Sequence, residues 1–247
     1  MRGAGFAISV TAGGAVTATL IPADRWGYEP VFVATTVATL AALFSVPGLP
    51  SRVASAGSHA AGGVLAGLRC TAITRPAVIF AASTAAVGVL VTFLPLATGD
   101  QPAWVAAAAL LAQPAAPTAS RWVAGRLGDR HGQACLLTPG LLMSAVGMAC
   151  LAATGSPAAV IGGATLFGIG FGLLSNATLS LMYARAGAGG EGAVSAIWNA
   201  AYDLGMAAGA LAAGLLVASV GYPVTFLATA AVMVPALAAI RRDRVAA

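Results

Sequence analysis

Runs of about twenty consecutive apolar residues recur along this chain, separated by short polar segments. At 1.5 Å per helical residue, each run crosses the roughly 30 Å hydrocarbon core of a bilayer. The runs are continuous, whereas barrel strands would alternate polar and apolar residues over about ten positions. They are therefore helices. Only 8% of the 247 residues are charged, against about 25% in a soluble domain, so this inventory cannot make a water-facing surface. The 31 Gly and the abundant Ala suit helices that pack closely in lipid, where no hydrophobic drive pulls them together.

Eight spans are predicted, at about 4–22, 30–48, 76–97, 103–121, 134–153, 157–183, 192–218 and 222–240. The connections at 49–75, 122–133 and 184–191 are longer and carry charge; the others are very short. Every basic residue other than His59 and His131 is Arg. Eleven of the twelve Arg fall on one side of the eight-span arrangement, and only Arg25 falls on the other. Excess Arg marks the cytoplasmic face, which places both termini and the tail 241–247 in the cytoplasm of a multi-pass cell-membrane protein. The +5 net charge thus reflects membrane topology, and no nucleic-acid partner is implied. Arg2 and the apolar stretch after it outline a signal peptide, but the run is long for one.

An internal repeat organises the chain. Gly27-Tyr28, Phe32 and Ala34-Thr35 recur as Gly221-Tyr222, Phe226 and Ala228-Thr229, with an offset of 194 at all five positions. Each copy opens a helix that follows a Gly- and Ala-rich one. The first two helices then correspond to the last two, in a repeat unit of six. On this reading 1–48 holds the last two helices of an N-terminal half, 49–75 is a cytoplasmic central loop, and 76–240 is a complete six-helix half. Four helices of the first unit are expected to be absent from the N-terminal side.

The densest polar cluster is Gly125-Arg126-Leu127-Gly128-Asp129-Arg130-His131-Gly132-Gln133, expected to be a short loop turning one span into the next. Gly125, Asp129, Arg130 and Gly132 resemble the cytoplasmic loop signature of the major facilitator superfamily, Gly-x-x-x-Asp-Arg-x-Gly-Arg, with Gln133 standing where a basic residue is usual. Two six-helix halves, a basic central loop and internal termini fit the same family. A further similarity is to bacterial sugar-efflux and drug-efflux-like permeases, on Gly192, Trp198, Tyr202, Asp203, Leu204, Gly205 and Gly209. The drug–proton antiporter signature of the family's fifth helix is not met, because Gly13-Gly14 is present but Pro22 lies at the helix exit. The resemblance implies an all-α, polytopic transmembrane bundle with the major-facilitator fold, lacking its first four helices. It also implies an efflux permease that moves a small solute by alternating access, with an ion such as the proton as coupling partner. By the same resemblance, Asp129 would approach the N-terminal end of the helix beginning near Arg2. The competing reading is a non-transporting remnant or partner subunit, associating with itself or another subunit through Gly/Ala faces.

Asp203 is the one carboxylate well inside a predicted span, where an ionisable group usually faces a cavity and marks an ion or solute path. Asn199 precedes it by one helical turn and shares its face, and Tyr202 adjoins it. The alternative role for Asp203 is a hydrogen bond tying two helices. Asn176, in the polar interruption Ser175-Asn176-Ala177-Thr178 of the sixth span, and Gln113, followed by Pro114 and Pro117 in the fourth, complete the candidates for the path. Gly168, Gly170 and Gly172 read as a helix-packing seam. Cys70, Cys135 and Cys150 fit no metal spacing. No phosphate loop, His-Glu-x-x-His helix or Cys-x-x-Cys pair occurs, so no cofactor, metal, catalytic residue or enzyme activity is expected.

Overall fold

The computed structural model describes residues 60–187 and 189–236, together with Val33, Thr36 and Val37, which are helical. The rest of the first two predicted spans, the repeat copy at Gly27-Tyr28 and the tail 241–247 lie outside the described residues. The chain divides into two units, Met1–Ala56 and Gly57–Ala247, and every helix named below belongs to the second.

Among the described residues the fold is all helical, with no strand. The helices are α1 (Ala60–Arg69), α2 (Thr71–Ala97), α3 (Ala103–His131), α4 (Leu137–Cys150, entered by a 3-10 turn at Gln133–Leu136), α5 (Pro157–Arg185) and α6 (Glu191–Met233). Four stretches among the described residues are long and apolar enough to cross a membrane: Thr71–Ala97, Gln133–Cys150, Pro157–Arg185 and Glu191–Met233. Helix α3 is as long as α5, at 29 residues each, but Gln113, two prolines and its charged last turns dilute its apolar character.

Two boundaries differ from the sequence-based expectation. The first is the supposed loop at 122–133. Helix α3 continues through Gly125, Arg126, Asp129, Arg130 and His131, and it stops at Gly132, whose φ of 83° and ψ of 144° suit glycine alone. The physical reason lies in the residues between the glycines. Trp122, Val123, Ala124, Arg126 and Leu127 sustain a helix, the Arg126 guanidinium stacks 3.7 Å from the Trp122 ring one turn back, and the basic Arg130 and His131 suit the negative helix C-terminus.

The second difference lies in the segment 49–75, where Ala60–Arg69 forms α1 and α2 starts at Thr71. This short helix gains its order from tertiary contact, since Val64 packs on Ile73, Met182, Val194 and Ile197. Helix α6 covers the last two predicted spans in one 43-residue element broken at Gly221, where φ is 77° and ψ 174°. The predicted span boundary therefore coincides with the backbone break.

Packing is set by glycine. Helices α2 and α6 run parallel, and a methyl group at Gly205 would strike Thr84 Oγ1 and the Ala81 carbonyl, while one at Gly209 would strike the Ala85 carbonyl. Helices α3 and α5 are parallel too: Gly168 lies against Gln113 and Pro117, and Gly172 against Pro117 and Ser120. Gly170, half a turn round from both, instead meets Gly140 and Ser144 of the antiparallel α4. The expected glycine seam thus serves two neighbours, which puts α5 at the centre of the bundle. Phe80, Leu90, Leu141, Phe167 and Leu174 fill the core around it. At one end the Arg185 guanidinium donates to the Ala72 carbonyl at 3.0 Å; at the other the Gln101 amide donates to the Gly155 carbonyl at 3.0 Å.

Candidate functional site

Four helices bring polar and aromatic side chains to one level of the bundle. On α3, Arg121 lies ten residues before the helix end at His131; on α5, Ser175 lies ten residues before Arg185; on α6, Tyr202 lies eleven residues after Glu191; on α2, Phe80 lies nine residues after Thr71. With 1.5 Å per residue, all four sit about 14–17 Å from the basic end of the bundle. The level follows from the parallel seam. Gln113, Pro117 and Arg121 recur every four residues on α3 and meet Gly168, Gly172 and Ser175 in turn.

The last rung of that seam is polar. Arg121 Nε donates to Ser175 Oγ at 3.0 Å, and the Ser175 hydroxyl donates in turn to the Gly172 carbonyl at 3.1 Å. One turn further, Thr178 donates to the Leu174 carbonyl at 2.7 Å and accepts from Trp198 Nε1 of α6 at 3.4 Å. Trp198 lies flat on Phe80, with ring centroids 4.3 Å apart and planes 14° from parallel. Tyr202 closes the cluster, 6.2 Å from Phe80, 6.4 Å from Phe171 and 6.4 Å from Trp198. Offset aromatic pairs at such separations are attractive beyond their buried area. Phe80 and Phe171 are buried, whereas Trp198 and Tyr202 are half-buried.

The sequence-derived candidates separate into three groups. Tyr202 joins the aromatic cluster. Asp203 and Asn199 lie on the exposed face of α6, turned away from the Gly205 and Gly209 contact with α2. The Asn199 amide donates to its own helix, at the Ser195 carbonyl 2.8 Å away, and the Asp203 carboxylate has no bonded partner among the described residues. On α5, Asn176 is half-buried, with its Oδ1 enclosed and unbonded. Gln113 is buried on α3 at the first rung of the seam.

The motif residues lie one to three turns away from this level, toward the basic end. Arg126, Asp129 and Arg130 line an open cleft with Trp122, and no ion pair joins Asp129 to either arginine among the described residues. The helix that Asp129 was expected to approach lies outside the described residues. Among the described residues, no cluster of three metal-ligating side chains occurs.

Sequence reading missed Arg121, which it grouped with the basic residues of the following connection, and it left Trp198 and Phe80 out of the candidate path. A usable signal was present: Arg121 continues the four-residue spacing of Gln113 and Pro117.

A bundle of long apolar helices around a polar and aromatic layer has a counterpart among known families, and the family model described as Major Facilitator Superfamily matches residues 77–246. The chain belongs to the major facilitator superfamily. It is a multi-pass membrane protein of a transporter family, and the match spans α2 to α6 and every candidate residue named above. No curated protein matches the chain.

Proposed function

We propose that this superfamily member exports a small solute by alternating access, with Asp203 carrying a coupling proton. Asp203 carries the reading. Twelve residues past Glu191 on α6, it lies about 18 Å from the helix start, about 10 Å inside a core of roughly 30 Å when the segment before the Gly221 break is centred on it. A charged group there, without a partner among the described residues, is stable only where water or a bound cation reaches it. Asn199 and Asp203 would form one side of the solute path, with Tyr202, Asn176 and Gln113 as further contributors. The Arg-rich end of the bundle would face the cytoplasm under the positive-inside rule, as would both chain termini on the topology predicted from sequence, and the protein would reside in the cell membrane. Transport of this type is driven by rocking of one helical repeat against another around a site near midplane.

The test is solute-dependent proton movement in proteoliposomes with an imposed pH gradient. Wild type should release internal protons when a transported solute is present, and Asp203→Asn should abolish that coupling. Undiminished proton movement in Asp203→Asn overturns the assignment.

A further inference from the structure

We infer that Arg121, fixed by Ser175 near the half-buried Tyr202 and Trp198, is the anchor for the carboxylate of an aromatic or planar organic acid. This rests on the transport reading above and deepens it by naming the substrate class.

Taken as a membrane span alongside the parallel α5, α3 carries Arg121 into the bilayer. Helix α3 has 29 residues and is about 43 Å long, so if centred on a hydrocarbon core of roughly 30 Å it overhangs by about 7 Å at each end. Arg121, about 15 Å from the His131 end, is then about 8 Å inside the core. An arginine at that depth commonly snorkels along its stem to the interface. Here the guanidinium is held back, because its Nε bonds Ser175 Oγ at 3.0 Å and Ser175 is itself only 2% exposed.

Arg121 is exposed. Its bond to Ser175 sets it one turn of α5 from Thr178, which accepts from Trp198 Nε1 at 3.4 Å, and the Trp198 and Tyr202 ring centroids are 6.4 Å apart.

The hydrogen-bond count gives the ligand chemistry. A guanidinium has five N–H donors in a planar fork. Ser175 takes the one on Nε, and no carboxylate or other group among the described residues takes those on the two terminal nitrogens. Two parallel N–H groups at the end of the fork match the two oxygens of a carboxylate. A neutral hydroxyl or amide would suffice to tie α3 to Ser175, so a tie between helices does not account for a permanent positive charge at this depth. The adjoining half-buried faces of Tyr202 and Trp198 favour a flat, apolar body by offset stacking. Together these features describe an anionic head beside a planar tail.

The test compares radiolabelled benzoate with its neutral analogue benzamide, using the full chain in nanodiscs of phosphatidylcholine, so that no anionic lipid competes. Wild type should bind benzoate roughly tenfold to a hundredfold more tightly than benzamide, the range expected for a charge-assisted pair. In Arg121→Gln the two affinities should converge to within about twofold, and Arg121→Lys, which keeps the charge without the fork, should retain a benzoate preference of reduced size. Equal binding of the two compounds by wild type overturns the inference without reference to any variant. An unchanged benzoate preference in a folded Arg121→Gln also overturns it. Benzoate flux in proteoliposomes separates this inference from the transport reading. Arg121-dependent binding without flux supports the subsite and removes the transport reading, whereas flux unaffected by Arg121→Gln removes the subsite and leaves transport standing.

Discussion

Thr84 of α2 donates its hydroxyl to the Ala201 carbonyl of α6 across 3.0 Å, while also lying 3.0 Å from the Ala81 carbonyl of its own helix. The bond joins two parallel helices immediately beside Tyr202 and just below the Gly205 contact. It fixes the rotation of α6 that turns Tyr202 inward and leaves Asp203 outward. Thr84→Val keeps the shape and removes the bond. Interhelical hydrogen bonds in membranes contribute about 0.6 kcal/mol on average, so this variant should lower the melting temperature by only a few degrees. Thermal unfolding in detergent measures it, and a collapse of the fold would show that the bond does more than set rotation.

Gly209 should be far less tolerant. A side chain there meets the Ala85 carbonyl, carbon and Cα, all of them backbone, so the neighbour cannot move aside. Gly209→Val should cost about 1–3 kcal/mol or more through overpacking and should broaden or eliminate the monodisperse peak in size-exclusion chromatography. A well-behaved, fully stable variant would refute the close parallel packing of α2 on α6.

Helical continuation of α3 through the Asp-Arg motif makes a prediction of opposite sign. Gly125 lies inside the helix, and a Cβ there meets nothing within 4 Å. Gly125→Ala should therefore stabilise the protein by about 0.5–1 kcal/mol, through higher helix propensity. Gly132→Ala, at φ 83°, should instead destabilise by about 1–3 kcal/mol. Measuring both melting temperatures in one buffer decides the matter, because a flexible loop would not separate the two in this order.

Trp198 combines two contacts that mutagenesis can part. Trp198→Phe loses the Nε1 bond to Thr178 but retains a ring over Phe80, and should cost about 0.5–1.5 kcal/mol. Trp198→Ala loses the stack as well, and should cost about 3 kcal/mol or more. Near-equal melting temperatures for the two variants would mean that the 4.3 Å stack on Phe80 contributes nothing of its own.

The bundle's long elements were readable from their apolar runs, as the match of 157–183 to Pro157–Arg185 illustrates. A run-based reading, however, ends a span at its first charge. It therefore closed the fourth span at Arg121 and assigned the following residues to a loop, although Val123, Ala124, Arg126 and Leu127 sustain a helix as well as the residues before them. The same habit hid Arg121 as a candidate, because an arginine at the end of a span looks like a topology signal. Its pairing with Ser175 becomes visible only once α3 and α5 are laid side by side. Helix α1 was illegible for another reason: its ten residues gain order from Ile73, Val194 and Ile197, which lie far off in the chain or on another helix. Gly221 was readable as a boundary through its repeat partner Gly27, but the sequence did not reveal a turn reduced to one residue of non-helical backbone.

The unbroken course of α3 bears on how motion in this protein is to be measured. A spin label or fluorophore at Arg126 or Arg130 is fixed to the same rod that carries Arg121. Distances recorded from either position therefore report displacement of the polar and aromatic layer, where a label on a true loop would report only its own local wandering. Probes near the membrane surface, accessible to ordinary cysteine chemistry, can thus follow what happens about 8–14 Å further in.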